Sequence, residues 1–291
     1  MEFVLENEKI RVRVSNHGGE MKSLFSKEEN KEYLWQGDEA YWEDSAPNLF
    51  PYIARLTDGT YTYRGEEFHM SIHGFVKDMI LKCKKTKDEL VFELKANEET
   101  KKCYPFLFIY RIKYHLEHTS LVITYEVENV DDKSMYFGIG GHPGFSVPFI
   151  EETEFNDYYL EFEKNVQPTE IKLSDDCFIL GEAPFEQLEN DKLLLSHSLF
   201  DHDAIVLKNM GKEVFLRSNR DSKGIRVRFP DMEYLGLWHW PKTEVPYLCI
   251  EPWSSLPSKK DVIEDLEKQD NLICLDAGKT YSNTWSIELV L

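Results

Sequence analysis

The chain has 291 residues, with 53 Asp plus Glu against 34 Lys plus Arg and a formal net charge of −19. At 42% hydrophobic and 13% aromatic residues it is too apolar for a disordered chain and long enough to bury a large core. No apolar run approaches the roughly 18 residues of a membrane span, the opening MEFVLENEKI lacks the basic and apolar regions of a signal peptide, and the acidic balance argues against non-specific nucleic-acid binding.

From the N-terminus, Ile10, Val12 and Val14 alternate with Arg11 and Arg13 beyond an Asn7-Glu8 turn, and predict a half-buried strand. The stretch from Asp44 to Leu56 breaks this pattern. Two prolines and several apolar residues lead into a single arginine, Arg55, whose guanidinium offers five donors. A ligand contact and a place on a sheet edge are both open to it. Turns at Asp58-Gly59 and Arg64-Gly65 precede a second break, Met70-Ser-Ile-His73-Gly74-Phe75, which combines a histidine, a glycine that permits close backbone approach, and an aromatic wall. Alternation returns at Leu90, Phe92 and Leu94, and again at Leu121, Ile123, Tyr125 and Val127.

The third break is Gly138-Ile-Gly140-Gly141-His142-Pro143-Gly144-Phe145. So many glycines cost entropy on folding and call for a geometric reason, and Pro143 holds His142 extended. Val166 to Asp191 is polar and irregular and reads as an excursion between strands. Phe200-Asp201-His202-Asp203, two acids and a histidine before the apolar run Ala204 to Val206, reads as a solvated turn rather than a set of metal ligands, and Trp238-His239-Trp240-Pro241 reads as strand and wall residues. Ile225, Val227 and Phe229 form another alternating strand. The fourth break ends an apolar strand in Glu251-Pro252-Trp253. A carboxylate in such a setting needs a partner or a task, and Trp253 offers a flat apolar surface to the C–H face of a sugar. Ser258 to Gln269 predicts one short amphipathic helix capped by Ser258. Trp285, Ile287 and Leu289 close the chain as a strand.

These elements predict an all-β protein, a sandwich of large antiparallel sheets with few short helices, forming a single domain over residues 1–291. The cysteines Cys83, Cys103, Cys177, Cys249 and Cys274 are odd in number, widely spaced and without C-x-x-C, which predicts free thiols and a cytoplasmic location. No motif for a nucleotide, a metal or a nucleophilic Ser or Cys is present, so no cofactor is expected.

Leu5-Glu-Asn7, Gly18-Gly-Glu-Met-Lys-Ser-Leu24, Glu32-Tyr-Leu-Trp-Gln-Gly37, Ala46-Pro-Asn-Leu-Phe-Pro51, His73-Gly-Phe75, Gly141-His-Pro-Gly-Phe145 and Cys249-Ile-Glu-Pro-Trp253, in this order along nearly the whole chain, resemble the aldose 1-epimerase (galactose mutarotase) family. The Glu-Tyr-Leu-Trp-Gln-Gly and Cys-Ile-Glu-Pro-Trp strings look most like the branch named for the LacX protein of lactose operons. The resemblance implies a β-supersandwich and interconversion of the α and β anomers of a free aldose. It places the histidine pair on His73 and His142, the catalytic glutamate on Glu251 and the binding arginine on Arg55. A sugar-binding aspartate falls between Phe200 and Val206, on Asp203 with Asp201 as the alternative. Ser254 to Lys260 departs from the loop expected of the branch.

Anomerisation needs one base for the C1 hydroxyl proton and one acid for the ring oxygen, and no metal or covalent intermediate. On this reading Glu251 is the base and His142 the acid. His73 donates near the ring oxygen, Arg55 and Asp203 hold hydroxyls, and Phe75 and Trp253 stack on the ring. The expected partner is a small sugar such as galactose or glucose, taken up by a monomer or homodimer with no nucleic acid or membrane partner. Two other readings stand beside it: a hexose 6-phosphate substrate, with Arg55, Lys259 and Lys260 as phosphate donors, and a non-catalytic sugar-binding sensor on the same fold.

Overall fold

While Ile10–Ser15 lies in a separate four-stranded sheet, the other four of the five alternating segments assemble into one antiparallel sheet of nine strands. The computed structural model, which describes residues 1–291, places Thr280–Val290 at its centre, between Gly224–Arg228 and Ser120–Asn129. Phe108–Glu117, Glu89–Lys95 and Lys82–Lys85 extend it on one side; Glu213–Ser218, Tyr158–Phe162 and Lys192–Leu194 extend it on the other. In Ser120–Asn129 every second residue is buried, as a pleat with one face on the core requires. The outward face carries charges that pair across strands. Arg111 reaches Glu93, Glu126 and Glu128 at 2.8, 2.6 and 3.1 Å, and Arg226 and Arg228 share Glu288 at 3.3 and 2.8 Å.

A second antiparallel sheet of eight strands faces the first. It runs from the edge strand Ile179–Pro184 through Thr169–Leu173, Ile205–Lys208, Tyr234–Trp238 and Tyr247–Trp253 to the short Gly140–Gly141 and Asn48–Leu49, with Gly144–Ser146 also paired to Tyr247–Trp253. All seven residues of Tyr247–Trp253 are buried, because this strand is covered on both faces. The two sheets meet through a polar bolt as well as apolar packing: Tyr125 Oη donates to Asn48 Oδ1 at 2.8 Å, and Asn48 Nδ2 donates to the carbonyls of Gly18 and Gly19. A continuous core of 63 buried residues fills the space between. All five cysteines are free, and no helix is long and apolar enough to cross a membrane.

Two expectations fail. Ser258 to Gln269 is not a helix. It contains a two-residue strand, Glu264–Asp265, paired in parallel with Thr60–Tyr63. Asp261 has a positive φ of 59°, and Val262 and Ile263 face solvent while Leu266 alone is buried, so the apolar set has no common face to bury. The polar stretch Val166 to Asp191 is not irregular throughout. It folds as the hairpin Thr169–Leu173 and Ile179–Pro184, which forms the edge of the second sheet. The only α-helix is Thr100–Cys103.

Candidate active site

Strand register builds the centre of the site. Gly140 pairs with Trp253, and Gly144 pairs with Cys249. The two short ladders are in one register, so His142, in the gap between them, stands opposite Glu251. Pro143 supplies no N–H to continue the ladder. Its carbonyl instead accepts from the Ile250 N–H at 3.1 Å, and the His142 N–H turns away to the carbonyl of Pro47 at 3.0 Å. The imidazole Nε2 of His142 consequently lies 3.2 Å from Glu251 Oε2.

The glycines around His142 serve close approach rather than unusual φ. A Cβ on Gly140 would lie 2.8 Å from the Trp253 ring, one on Gly141 2.4 Å from Trp285, and one on Gly144 2.7 Å from Trp42. Each aromatic ring lies directly against backbone, and this fixes the walls around the histidine.

His73 reaches the same place by a different route. It has φ 64° and Ala54 has φ 54°, and the two residues bond reciprocally. The His73 N–H donates to the Ala54 carbonyl at 2.9 Å, and the Ala54 N–H donates to His73 Nδ1 at 3.1 Å. Nδ1 is therefore an acceptor, and the proton of the neutral ring sits on Nε2. The His73 and His142 rings stand edge to face, 5.4 Å apart. Gly74 must be glycine: at φ 75° a Cβ would lie 2.2 Å from the Phe50 carbonyl oxygen.

These residues line one cavity of about 290 Å³ together with Arg55, Asp203 and Trp253. Ala54, His73, Cys177 and Asp203 all line it with φ between 54° and 77°, a clustering of backbone strain that marks functional sites. Glu251 is 1% exposed, and burial pushes its carboxyl well above the ordinary value, with the nearby Asp203 carboxylate adding to the effect. Burial pulls His142 down to about 3. His73 is also held well below the ordinary histidine range, first by burial and then by His142. Glu251 Oε2 and His142 Nδ1 lack hydrogen-bond partners within the protein. The 3.2 Å approach is thus a contact of two poised groups, not an aligned hydrogen bond, and both remain available to a polar ligand.

Six of the seven expected site residues meet here: Arg55, His73, His142, Asp203, Glu251 and Trp253. Phe75 does not. It is 8% exposed and packs in the core edge to face with Phe50 at 6.1 Å, because the turn that presents His73 directs the residue after Gly74 inward. Of the two aspartates, Asp203 lines the cavity and Asp201 does not. Lys260 is tied to Asp176, and Lys259 lines a neighbouring hollow. Lys77 and Asp44 stand in the cavity wall instead. Trp42, Trp238 and Trp240 complete it, so four of the six tryptophans line one cavity. Trp238 and Trp240 belong to a stretch already read as a wall; Trp42 carried no signal of its own.

The aldose 1-epimerase family model matches residues 1–265. The chain belongs to this family. It is 34% identical to the plasmid-encoded protein LacX of Lactococcus lactis subsp. lactis over 294 residues, 96% of this chain and 97% of that one. Among solved structures, a galactose mutarotase related enzyme from Lactobacillus acidophilus superposes with a TM-score of 0.95 at 32% identity, covering 100% of this chain and 98% of that one. A galactose mutarotase-like protein from Lactobacillus casei gives 0.94 at 29%, covering 99% and 100%. The fold is the mutarotase-like supersandwich, as the family membership implies.

Proposed function

We propose that the protein is a cofactor-independent aldose 1-epimerase that interconverts the α and β anomers of a free aldohexose such as galactose or glucose. The observation that carries this reading is the His142–Glu251 pair: an imidazole and a carboxyl 3.2 Å apart at the bottom of a cavity whose walls suit a sugar. Glu251 takes the proton of the C1 hydroxyl while His142 gives one to the ring oxygen. The ring opens, the C1–C2 bond rotates, and the reverse transfers close it on the other face. His73 Nε2 donates at the ring-oxygen end, Arg55 and Asp203 hold hydroxyls, and the tryptophans cover the apolar faces of the ring.

The protonation of the pair fits this cycle. The pair holds one exchangeable proton in total, and the reaction alternates between carboxylate with imidazolium and carboxylic acid with neutral imidazole. Burial favours the second arrangement, which is the one that accompanies the open-chain aldehyde.

A second reading, the same chemistry on hexose 6-phosphates, draws on two observations. Arg55 has no carboxylate within ion-pair distance, and Lys77 lines the same cavity. Asp44 and Asp203 in that cavity weigh against a dianion. Polarimetry of freshly dissolved α-galactose, α-glucose and their 6-phosphates tests both readings. Faster decay of rotation than in buffer is expected for the free sugars. Binding of these sugars without acceleration would replace the enzyme reading with that of a sugar-binding protein.

A further inference from the structure

One residue beside the reacting pair has no place in anomerisation. Cys249 precedes Glu251 by two positions on Tyr247–Trp253, so both side chains lie on the same face of the strand. Its thiol is buried beneath Trp42, in a small cluster with Val245 and Tyr247. One donor atom from each of His142, Cys249 and Glu251 lies within 4.8 Å of the other two. All three residues are buried, and Glu251 Oε2 has no hydrogen-bond partner.

We propose that His142, Cys249 and Glu251 form a binding site for a thiophilic divalent cation, zinc above all, and that the ion inhibits the enzyme by occupying the acid–base pair. Nitrogen, sulfur and carboxylate oxygen are the zinc donors. Ligand separations in a tetrahedral site are somewhat below the spread found here, so small rotamer shifts close the set. Charge also balances: the ion's two positive charges meet one thiolate and one carboxylate with a neutral imidazole, and two protons leave to solvent. The fourth position faces the cavity, where a water or a sugar hydroxyl completes the shell. No reaction step uses the metal. While bound, it removes the lone pairs on which both proton transfers depend. The inhibition follows from the catalytic reading, whereas the binding site itself stands on geometry alone.

The experiment has two arms, both on the full chain in a buffer that does not chelate metals. In the first, zinc chloride is titrated against mutarotation of α-galactose. Activity is expected to fall and to return with EDTA. In the second, cobalt(II) replaces zinc, and the visible spectrum is read for an intense tetrahedral band with thiolate-to-metal charge transfer. Cys249→Ala and Cys249→Ser remove one ligand and none of the catalytic groups. They are expected to mutarotate normally, to lose the charge-transfer band, and to need roughly tenfold more zinc or more for the same inhibition. Absence of the cobalt band in the unmodified protein, or identical zinc titrations in the unmodified protein and both variants, would overturn the site. If the unmodified protein accelerates no sugar, the catalytic reading falls, while the cobalt spectrum still decides the metal site.

Discussion

The outer face of the nine-stranded sheet and the inner end of the eight-stranded sheet treat charge in opposite ways. On the first, Arg111 alone meets three carboxylates, and the arginines of Gly224–Arg228 share Glu288. Each charge there is partly exposed and paired. On the second, Glu251 and His142 are buried, touch without a formed hydrogen bond, and are held away from their ordinary ionisation. The backbone differs likewise: the first region is regular over strands of ten and eleven residues, while the second uses two-residue strands and positive φ. One region has relaxed its local conflicts, and the other retains them where a ligand can relieve them.

The two regions separate most clearly when one charged group is removed from each. Glu251→Gln and His142→Asn should each lower kcat by about 10²–10⁴-fold, with thermal stability unchanged or higher, since each removes a poised buried group. Arg111→Ala should do the reverse, leaving polarimetric activity intact and lowering stability by about 1 kcal/mol. Full activity in either site variant would remove the pair from the mechanism. A smaller effect is expected at the mouth. Arg55→Ala should raise KM for α-galactose by about tenfold or more with a lesser change in kcat, as for a lost charged hydrogen bond. An unchanged KM would leave Arg55 outside the binding site.

Packing gives a third contrast. Gly141→Ala drives a methyl into Trp285 and should cost about 1–3 kcal/mol in denaturant unfolding. Gly181→Ala, with nothing within 4 Å of the added carbon, should be near neutral. Equal losses would mean that the glycines around His142 serve some other purpose. The smallest expected effect is in stability against pH. The folded-state value of Glu251 lies above its ordinary value of 4.5, so its contribution is fully present below that value and fades as pH rises towards the folded one. Glu251→Gln abolishes this fade. Melting temperatures of the variant should therefore gain on the unmodified protein as pH rises from 4.5. A constant difference across pH would show that Glu251 is ionised in the folded state.

The regular region was the more legible in sequence. Leu121, Ile123, Tyr125 and Val127 alternate because one face of their strand is buried, and such a pattern survives without any tertiary knowledge. The site sheet was harder. Tyr247–Trp253 is buried on both faces and shows no period, and Asn48–Leu49 is too short to show one. The hairpin containing Cys177 was hidden by its polar edge, and the segment after Ser258 had apolar residues at helical spacing but no common face. His73, His142 and Glu251 were visible because each adjoins a glycine or proline that breaks the strand pattern, and Arg55 because it ends a stretch broken by two prolines, whereas Asp203 has no such neighbour and followed only from the family resemblance. Trp42 was not visible, since an aromatic residue near strands looks the same whether it faces core or cavity, and Phe75 was misplaced for the same reason.

The pairing of His142 with Glu251 across two short ladders also bears on how turnover meets the solvent. In the proposed cycle His142 gives a proton to the sugar as Glu251 takes one from it, so the combined charge of the pair is the same with the pyranose and with the open-chain sugar. No counterion need enter or leave, and no buffer species need collect or deliver the proton. Turnover of a neutral sugar at such a site should respond only weakly to ionic strength, even within a molecule of net charge −19.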